Sequence, residues 1–217
     1  KRQPYTLHNP ASGQYEGLDI DMAHLLAASL GVKLIFVKTT WSKLTTDLIS
    51  GRFDIAMGGI SITEERKKMA AFSGSYWQDG KTPIARCQHT QRYGSIAQID
   101  QPDVRLIVKS GSCDELLSRT HFSRAQLTVW PDNTTVFTRI LDGHADVIMT
   151  DTSEALYQQK QHPGVLCTIQ PENLFNRFDK AYLMPRDALW NGWVNAWLSL
   201  ALGDGSFKQR QQRWLGE

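Results

Sequence analysis

Two stretches of this chain are written to one plan. Leu48 to Met57 reads LISGRFDIAM and Ile140 to Met149 reads ILDGHADVIM, so an apolar pair, a glycine, an aspartate and a three-residue apolar run recur at one spacing. A repeat of this kind restricts the fold to one in which both halves build the same unit. An amphipathic stretch leads into each copy, Trp41 to Ile49 in the first and Thr134 to Leu141 in the second. The glycine can end a helix, and the apolar run suits a strand buried on both faces. The repeat is therefore a helix-to-strand step of an open α/β sheet, used twice.

Other segments extend the same pattern. Asp19 to Leu30 carries Ile20, Ala23, Leu26, Ala27 and Leu30 at helical spacing before Gly31, and Lys33 to Val37 reads as the strand that follows. In the second half Val104 to Val108 and Gln126 to Val129 read as strands flanking a helix near Asp114 to Arg119, with Ala145 to Met149 as the next strand. The fold class expected is α/β: two doubly wound lobes joined by two crossing strands, with binding groups at the carboxyl ends of the strands. Lys81 to Cys87 and Lys180 to Pro185 are the extended crossings, expected to act as hinges when the lobes close on a ligand. The first lobe is then 1–84 with 181–217, and the second, inserted lobe is 85–180. After Pro185 a helix returns with Trp190, Trp193, Val194, Trp197, Leu198 and Leu200 on one face, read as lobe packing. A doubly wound lobe normally starts with a strand, whereas this chain starts in a polar loop, so a first strand is expected to precede residue 1.

Composition narrows the partners. The length of 217 residues favours two modest cores over one. Lys and Arg number 24 against 22 Asp and Glu, a formal charge of +2, which is not the basic face of a nucleic-acid binder. No apolar run nears the roughly 20 residues that span a bilayer, and KRQPYTLHNP at the start lacks a signal peptide's apolar stretch. The expectation is a soluble, exported, periplasmic protein whose signal has been removed. Cys87, Cys113 and Cys167 lack CxxC spacing, which argues against zinc and thioredoxin-like chemistry. They fit one disulfide and one thiol, or three reduced thiols. Cys87 and Cys167 both fall near the hinge side of the second lobe and are the pair expected to bond.

The chemistry concentrates where strands end. Met57 is followed by Gly58, Gly59, Ser61 and Thr63, which offer backbone and hydroxyl donors and a cap for a helix carrying Arg66. Arg66 presents a planar fork suited to a carboxylate. At the equivalent strand end of the second lobe stand Thr150, Asp151 and, one helical turn on, Glu154. Asp151 can accept from an ammonium, so opposite ends of a zwitterion would be met by opposite lobes. The loop Lys109 to Glu115, with Gly111 and Ser112, opens another helix, whose free N–H groups and dipole favour an anion.

These motifs resemble those of a known family. Glu16 to Asp21 (EGLDID), Gly51 to Asp54, Gly59 to Arg66 and the Gly111-Ser112 loop are similar to type II periplasmic amino-acid-binding proteins. Asp79 to Ile84, Ile99 to Pro102, Pro131 to Thr135, Met149 to Asp151 with Glu154, and Lys180 to Asp187 resemble the periplasmic cyclohexadienyl dehydratases more specifically. The resemblance implies the type II periplasmic binding protein fold and, residue by residue, a division of labour. Arg66 would hold a substrate carboxylate, Trp41 would line the pocket, and Lys81 would sit beside a second carboxylate. Glu154 matches the general acid and Asp151 the aspartate that binds an amino group in the receptors. Gly59, Ser61, Lys109, Ser112, Cys113 and Thr150 complete the expected substrate-binding set, with no metal and no cofactor. The chain departs from the family's pattern at Lys109 (asparagine there), at Cys113 (threonine there) and in lacking an acidic residue before Pro4.

Three functions follow. The first is decarboxylative dehydration of prephenate to phenylpyruvate and of arogenate to phenylalanine. The second is a receptor handing an amino acid or other small carboxylate to a membrane transporter, and the third a sensor lobe of a larger receptor. A receptor needs neither an acid at Glu154 nor a lysine at Lys81 aimed at a second carboxylate, which favours the enzyme.

Overall fold

A computed structural model describes residues 4–170 and 175–215. The chain divides into two compact units: Asp79–Arg177, and the described residues on either side of it. The unit boundaries therefore leave Lys81 with the inserted unit, a few residues earlier than the sequence boundary at 84.

The first stretch of the outer unit holds β1 (Leu7–His8), β2 (Tyr15–Glu16), α1 (Leu18–Leu30), α2 (Leu44–Ile49), α3 (Glu64–Met69) and β3 (Ala71–Phe72). The ten-residue β4 (Trp77–Arg86) leads into the inserted unit, which continues through α4 (Ile96–Ile99), β5 (Arg105–Lys109), α5 (Cys113–His121), β6 (Gln126–Trp130), α6 (Val136–Leu141), β7 (Val147–Asp151), α7 (Thr152–Gln161) and β8 (Leu166–Thr168). The chain returns along β9 (Asn176–Lys180) to β10 (Leu183–Met184), α8 (Ala188–Gly203) and α9 (Ser206–Leu215).

In the inserted unit the strand order is β6-β5-β7-β4-β8, with β9 also paired to β4. Helical crossovers make β5 parallel to both β6 and β7, while β4 runs antiparallel to β7 and β8. Strand alternation sorts the side chains into two cores. Ala85, Leu106, Val108, Val147 and Met149 pack on one face with Leu117 of α5. Ile84, Ile107 and Ile148 pack on the other with Val136 and Ile140 of α6 and Ala155 of α7. Continuous apolar runs in β5 and β7 are thus required by burial on both sides, and both strands end together, at Lys109 and Asp151.

The outer unit is less regular. Gly31 ends α1 in the left-handed conformation, as its sequence position predicts, but Lys33 to Val37 joins no ladder among the described residues, and Ile35 is 71% exposed. Phe53 to Met57 contributes one bridge, Ala56 with Leu183, closed by hydrogen bonds of 2.8 and 3.1 Å. A strand exists only where a partner supplies its hydrogen bonds, and here the partner supplies one residue's worth. Trp41 to Lys43 form a turn, so the helix expected from Trp41 starts at Leu44. On α8 the buried stripe is Val194, Trp197, Leu198 and Ala201, packed with Leu18, Met22, Tyr76 and Tyr182. Leu200 falls off that stripe and is exposed.

Cys87 and Cys167 form a disulfide, with Cα atoms 4.8 Å apart and 80 residues between them in sequence. The β4–β8 register, which pairs Ala85 with Cys167, brings the two together. Cys113 is a free thiol. Closing so long a loop restricts the unfolded chain, so replacing both bonded cysteines by alanine is expected to lower the unfolding free energy by roughly 4 kcal/mol in a denaturant titration. A loss under about 1 kcal/mol would contradict this.

Asp19 anchors the turn that follows the first repeat. It is fully buried on α1, and one carboxyl oxygen, Oδ2, accepts from the Gly59 amide at 2.6 Å and the Tyr76 hydroxyl at 2.9 Å. Gly59 has φ +63° and lies against the Tyr5 ring, where a Cβ would approach within 2.4 Å, so only glycine fits. Burial pushes the Asp19 carboxyl up to about 6, against the Gly59 and Tyr76 hydrogen bonds that pull it down. The folded protein therefore holds this proton more tightly than the unfolded chain. Its contribution to stability is full below about pH 4 and is lost as pH rises through about 6. The stability of the wild type relative to Asp19→Asn is expected to fall by about 2 kcal/mol between pH 4 and pH 7, and a difference independent of pH would contradict it.

Candidate active site

Each repeat is followed by the start of a helix that carries a buried charged side chain, Arg66 on α3 in the outer unit and Glu154 on α7 in the inserted one. In the outer unit Thr63 caps α3 by accepting from the Arg66 amide at 3.2 Å. Arg66 is 8% exposed, donates to the Ser61 carbonyl at 3.0 Å, and lies with its guanidinium 5.6 Å from the centre of the Trp41 ring. The Ser61 hydroxyl accepts from Lys180 Nζ at 2.9 Å, and Lys180 is fully buried. Trp41, Ser61 and Arg66 are thus brought together. Gly59 differs from the expectation: its amide is committed to Asp19, because the carboxylate beneath the turn is the nearer acceptor. The role left to Gly59 is to shape the turn.

In the inserted unit four element ends converge. The β4–β7 register sets Lys81 directly across from Asp151 and Thr82 from Thr150. Lys81 Nζ donates to Asp114 Oδ1 at 2.5 Å and to Asp151 Oδ1. Lys109, the last residue of β5, donates to Thr150 at 3.1 Å and to Glu154 Oε2, and lies 3.4 Å from Asp114 Oδ2. The Thr150 hydroxyl also donates to Glu154 Oε2. Lys81, Lys109, Asp114 and Glu154 are each 5% exposed or less, and Thr150 not at all. Two buried ammonium groups thus face three carboxylates, of which Asp151 is partly exposed, a formal charge of −1 with all ionised.

Charges so placed persist only by mutual compensation. Burial alone would push the Lys81 ammonium down, but Asp114 and Asp151 outweigh it and hold Lys81 well above its ordinary value. Burial opposes Lys109 in the same way, and Glu154, Asp114 and Asp151 raise it. Both lysines are cations throughout the neutral range.

Two contributors were not singled out from the sequence. Asp114 bridges both lysines, yet in sequence it is one of two acidic residues in a helix first turn, where exposed carboxylates are common. Asp79 accepts from the Gly80 amide at 2.8 Å, from the Ser153 amide at 3.3 Å and from the Ser153 hydroxyl. It thereby holds the first turn of α7, which carries Glu154. An aspartate before a glycine ordinarily signals a turn, so neither position announces itself.

The glycine loop also behaves differently from expectation. The amides of Ser110, Gly111 and Ser112 donate to Trp130 O, Glu115 Oε2 and Lys109 O at 3.0, 2.8 and 3.4 Å. Ser112 accepts from the Glu115 amide at 3.3 Å as the cap of α5 and donates to Lys109 O at 2.7 Å. The loop satisfies itself, and its function in the site is to start α5 so that Asp114 is placed. Cys113, partly exposed, precedes Asp114 there. Among the described residues no three His, Cys, Asp or Glu side chains cluster to hold a metal ion.

Known proteins resemble this chain over most of its length. Cyclohexadienyl dehydratase of Pseudomonas aeruginosa is 46% identical over 203 residues, covering 94% of this chain and 75% of that protein. The glutamine-binding protein of a Bacillus subtilis ABC transporter is 26% identical across 98% of this chain and 77% of its own length. The crystal structure of an ancestral amino-acid-binding protein, described as a precursor of cyclohexadienyl dehydratase, superposes with a TM-score of 0.91 at 31% identity, covering 98% of this chain and 90% of that one. The fold is that of the type II periplasmic binding proteins. With the family's sequence pattern matching residues 1–217, the chain belongs to the bacterial extracellular solute-binding proteins, family 3.

Proposed function

We propose that this protein is a periplasmic dehydratase that converts prephenate to phenylpyruvate, and arogenate to phenylalanine. The observation that carries the reading is the placement of Glu154. Its Oε2 accepts from Lys109 and Thr150, while Oε1 has no hydrogen-bond partner among the described residues. Oε1 is therefore the oxygen left to face a substrate, while Oε2 is held by Lys109 and Thr150.

The chemistry needs one proton in one place. As the bond between the ring and its carboxylate breaks, the electron pair enters the ring, the carbon–oxygen bond to the ring hydroxyl breaks, and Glu154 gives its proton to the departing oxygen. Prephenate and one proton become phenylpyruvate, carbon dioxide and water. The carboxylate left on Glu154 is met at once by Lys109 and Thr150, and solvent restores the proton. Within the same unit Lys81 offsets one of the two negative charges of Asp114 and Asp151, which would otherwise repel an anionic substrate more strongly. In the outer unit Arg66, stacked over Trp41 and braced by Ser61, offers a charged fork to a carboxylate. The relationship to the Pseudomonas aeruginosa dehydratase supports this reading.

A second reading is a receptor that delivers an amino acid or small carboxylate to a membrane transporter. It is favoured by the relationship to a glutamine-binding protein over nearly the whole chain. Such a receptor would give saturable heat with an amino acid and no product.

Prephenate incubated with the protein is expected to yield phenylpyruvate, followed by its absorbance. Glu154→Gln keeps the shape but carries no acid proton, and is expected to lower kcat by roughly a hundredfold to ten-thousandfold in the protein that remains folded. Absence of phenylpyruvate from the wild type would overturn the reading. Full turnover by Glu154→Gln would overturn the role of that residue alone.

A further inference from the structure

The outer edge of the inserted unit's sheet carries a second concentration of charge, built from none of the residues of the lysine and carboxylate cluster. β6 stands at one end of the strand order, and its register with β5 pairs Ile107 with Thr128 and Lys109 with Trp130. Alternation therefore puts Arg105 and Ile107 of β5 on one face with Thr128 and Trp130 of β6, the face on which α6 packs. That cover is incomplete at the edge, where Thr128 is exposed. Between the strands and α6 lies a cavity of about 180 Å³, lined by Ile107, Thr128 and Trp130 together with Arg105, Arg139 and His144. An apolar cavity of about 150 Å³ is already large enough to hold benzene.

Three arginines and two aspartates meet around this cavity. Arg105 donates to Asp146 through Nε and Nη2 at 3.0 and 2.7 Å, and Arg86 lies 3.4 Å from the same carboxylate. Arg139 reaches from α6 over Trp130, its guanidinium 5.1 Å from the ring centre, and lies 3.3 Å from the exposed Asp142. With all five ionised the group carries a formal charge of +1. Arg139 Nε is buried and has no acceptor among the described residues. A buried N–H without an acceptor costs free energy that a ligand oxygen recovers. Water would supply the oxygen, but neither the balancing negative charge nor contact with Ile107 and Trp130. We propose that this cavity is a second ligand site, which takes a small monocarboxylate with a flat apolar body. The carboxylate pairs with Arg139, and the body lies along Ile107 and Trp130. All of its residues belong to the inserted unit, so the inference holds whether the Glu154 cluster converts a ligand or only holds one.

Benzoate is the probe, and benzamide has the same shape without the charge. Because Arg66 also offers a fork to a carboxylate, calorimetry is run in Arg66→Ala as well as in the wild type. Benzoate is expected to give saturable heat in both proteins. Two further changes are then made in Arg66→Ala. Arg139→Gln removes the fork at the cavity, and Thr128→Phe fills the cavity from the edge strand with a side chain suited to a strand. Each is expected to weaken benzoate binding by roughly tenfold or more, the worth of one charge-assisted hydrogen bond, and benzamide is expected to bind Arg66→Ala more weakly by a similar factor. Should Arg139→Gln fail to fold, Thr128→Phe decides the matter. The inference is overturned if Arg66→Ala gives no saturable heat with benzoate, if either folded variant binds it as tightly as Arg66→Ala does, or if benzamide binds equally well. Because the readout is binding away from Arg66, these results stand apart from any outcome of the prephenate assay.

Discussion

Lys81 and Lys109, buried between Asp114, Asp151 and Glu154, impose the condition to which the inserted unit is built. Five ionisable groups out of water are costly unless each meets its partner at hydrogen-bond distance. Meeting it requires that β5 and β7 end, and α5 and α7 begin, beside the middle of β4. The sheet order places β7 between β4 and β5, so Thr150 and Asp151 stand between the two lysines. The two cores above and below the sheet then fix the strands against sliding. A one-residue slip of β4 would turn Lys81 to the opposite face and remove it from both aspartates.

The same condition gives the unit its chemistry. Glu154 is held from two sides, by Lys109 and Thr150 at one carboxyl oxygen and by Asp79 through the first turn of its helix. A carboxyl group so oriented can direct its second oxygen with little freedom lost on reaction, which is what a proton donor requires. In the outer unit the corresponding step of the repeat ends differently, with Arg66 braced by Ser61 and Lys180. The step after the repeat thus carries a buried cation in one unit and a buried carboxyl group in the other.

Much of this was legible from the residues. The repeat marked two equivalent helix-to-strand steps, and Arg66, Lys109, Asp151 and Glu154 stand out as charged residues beside glycines, hydroxyls and strand ends, whereas Lys81 came from the family resemblance. Asp114 and Asp79 do not stand out, because their importance comes from partners 33 and 74 residues away, Lys81 and Ser153. The amides of Ser110 to Ser112 looked free, since sequence cannot tell whether Glu115 folds back on Gly111 or points to solvent. Lys33 to Val37 has the composition of a strand, but apolar alternation specifies a strand only when another offers its edge. Local pattern fixed the elements of the inserted unit, where both faces are buried, and failed where pairing depended on a distant neighbour.

Counting carbon dioxide released from ring-carboxyl-labelled prephenate separates a catalyst from a receptor most directly. If Glu154 acts as the acid, each protein molecule releases many equivalents, with phenylpyruvate formed in equal amount. Saturable binding of prephenate with no carbon dioxide above the uncatalysed rate would show that this charge cluster holds a ligand without transforming it.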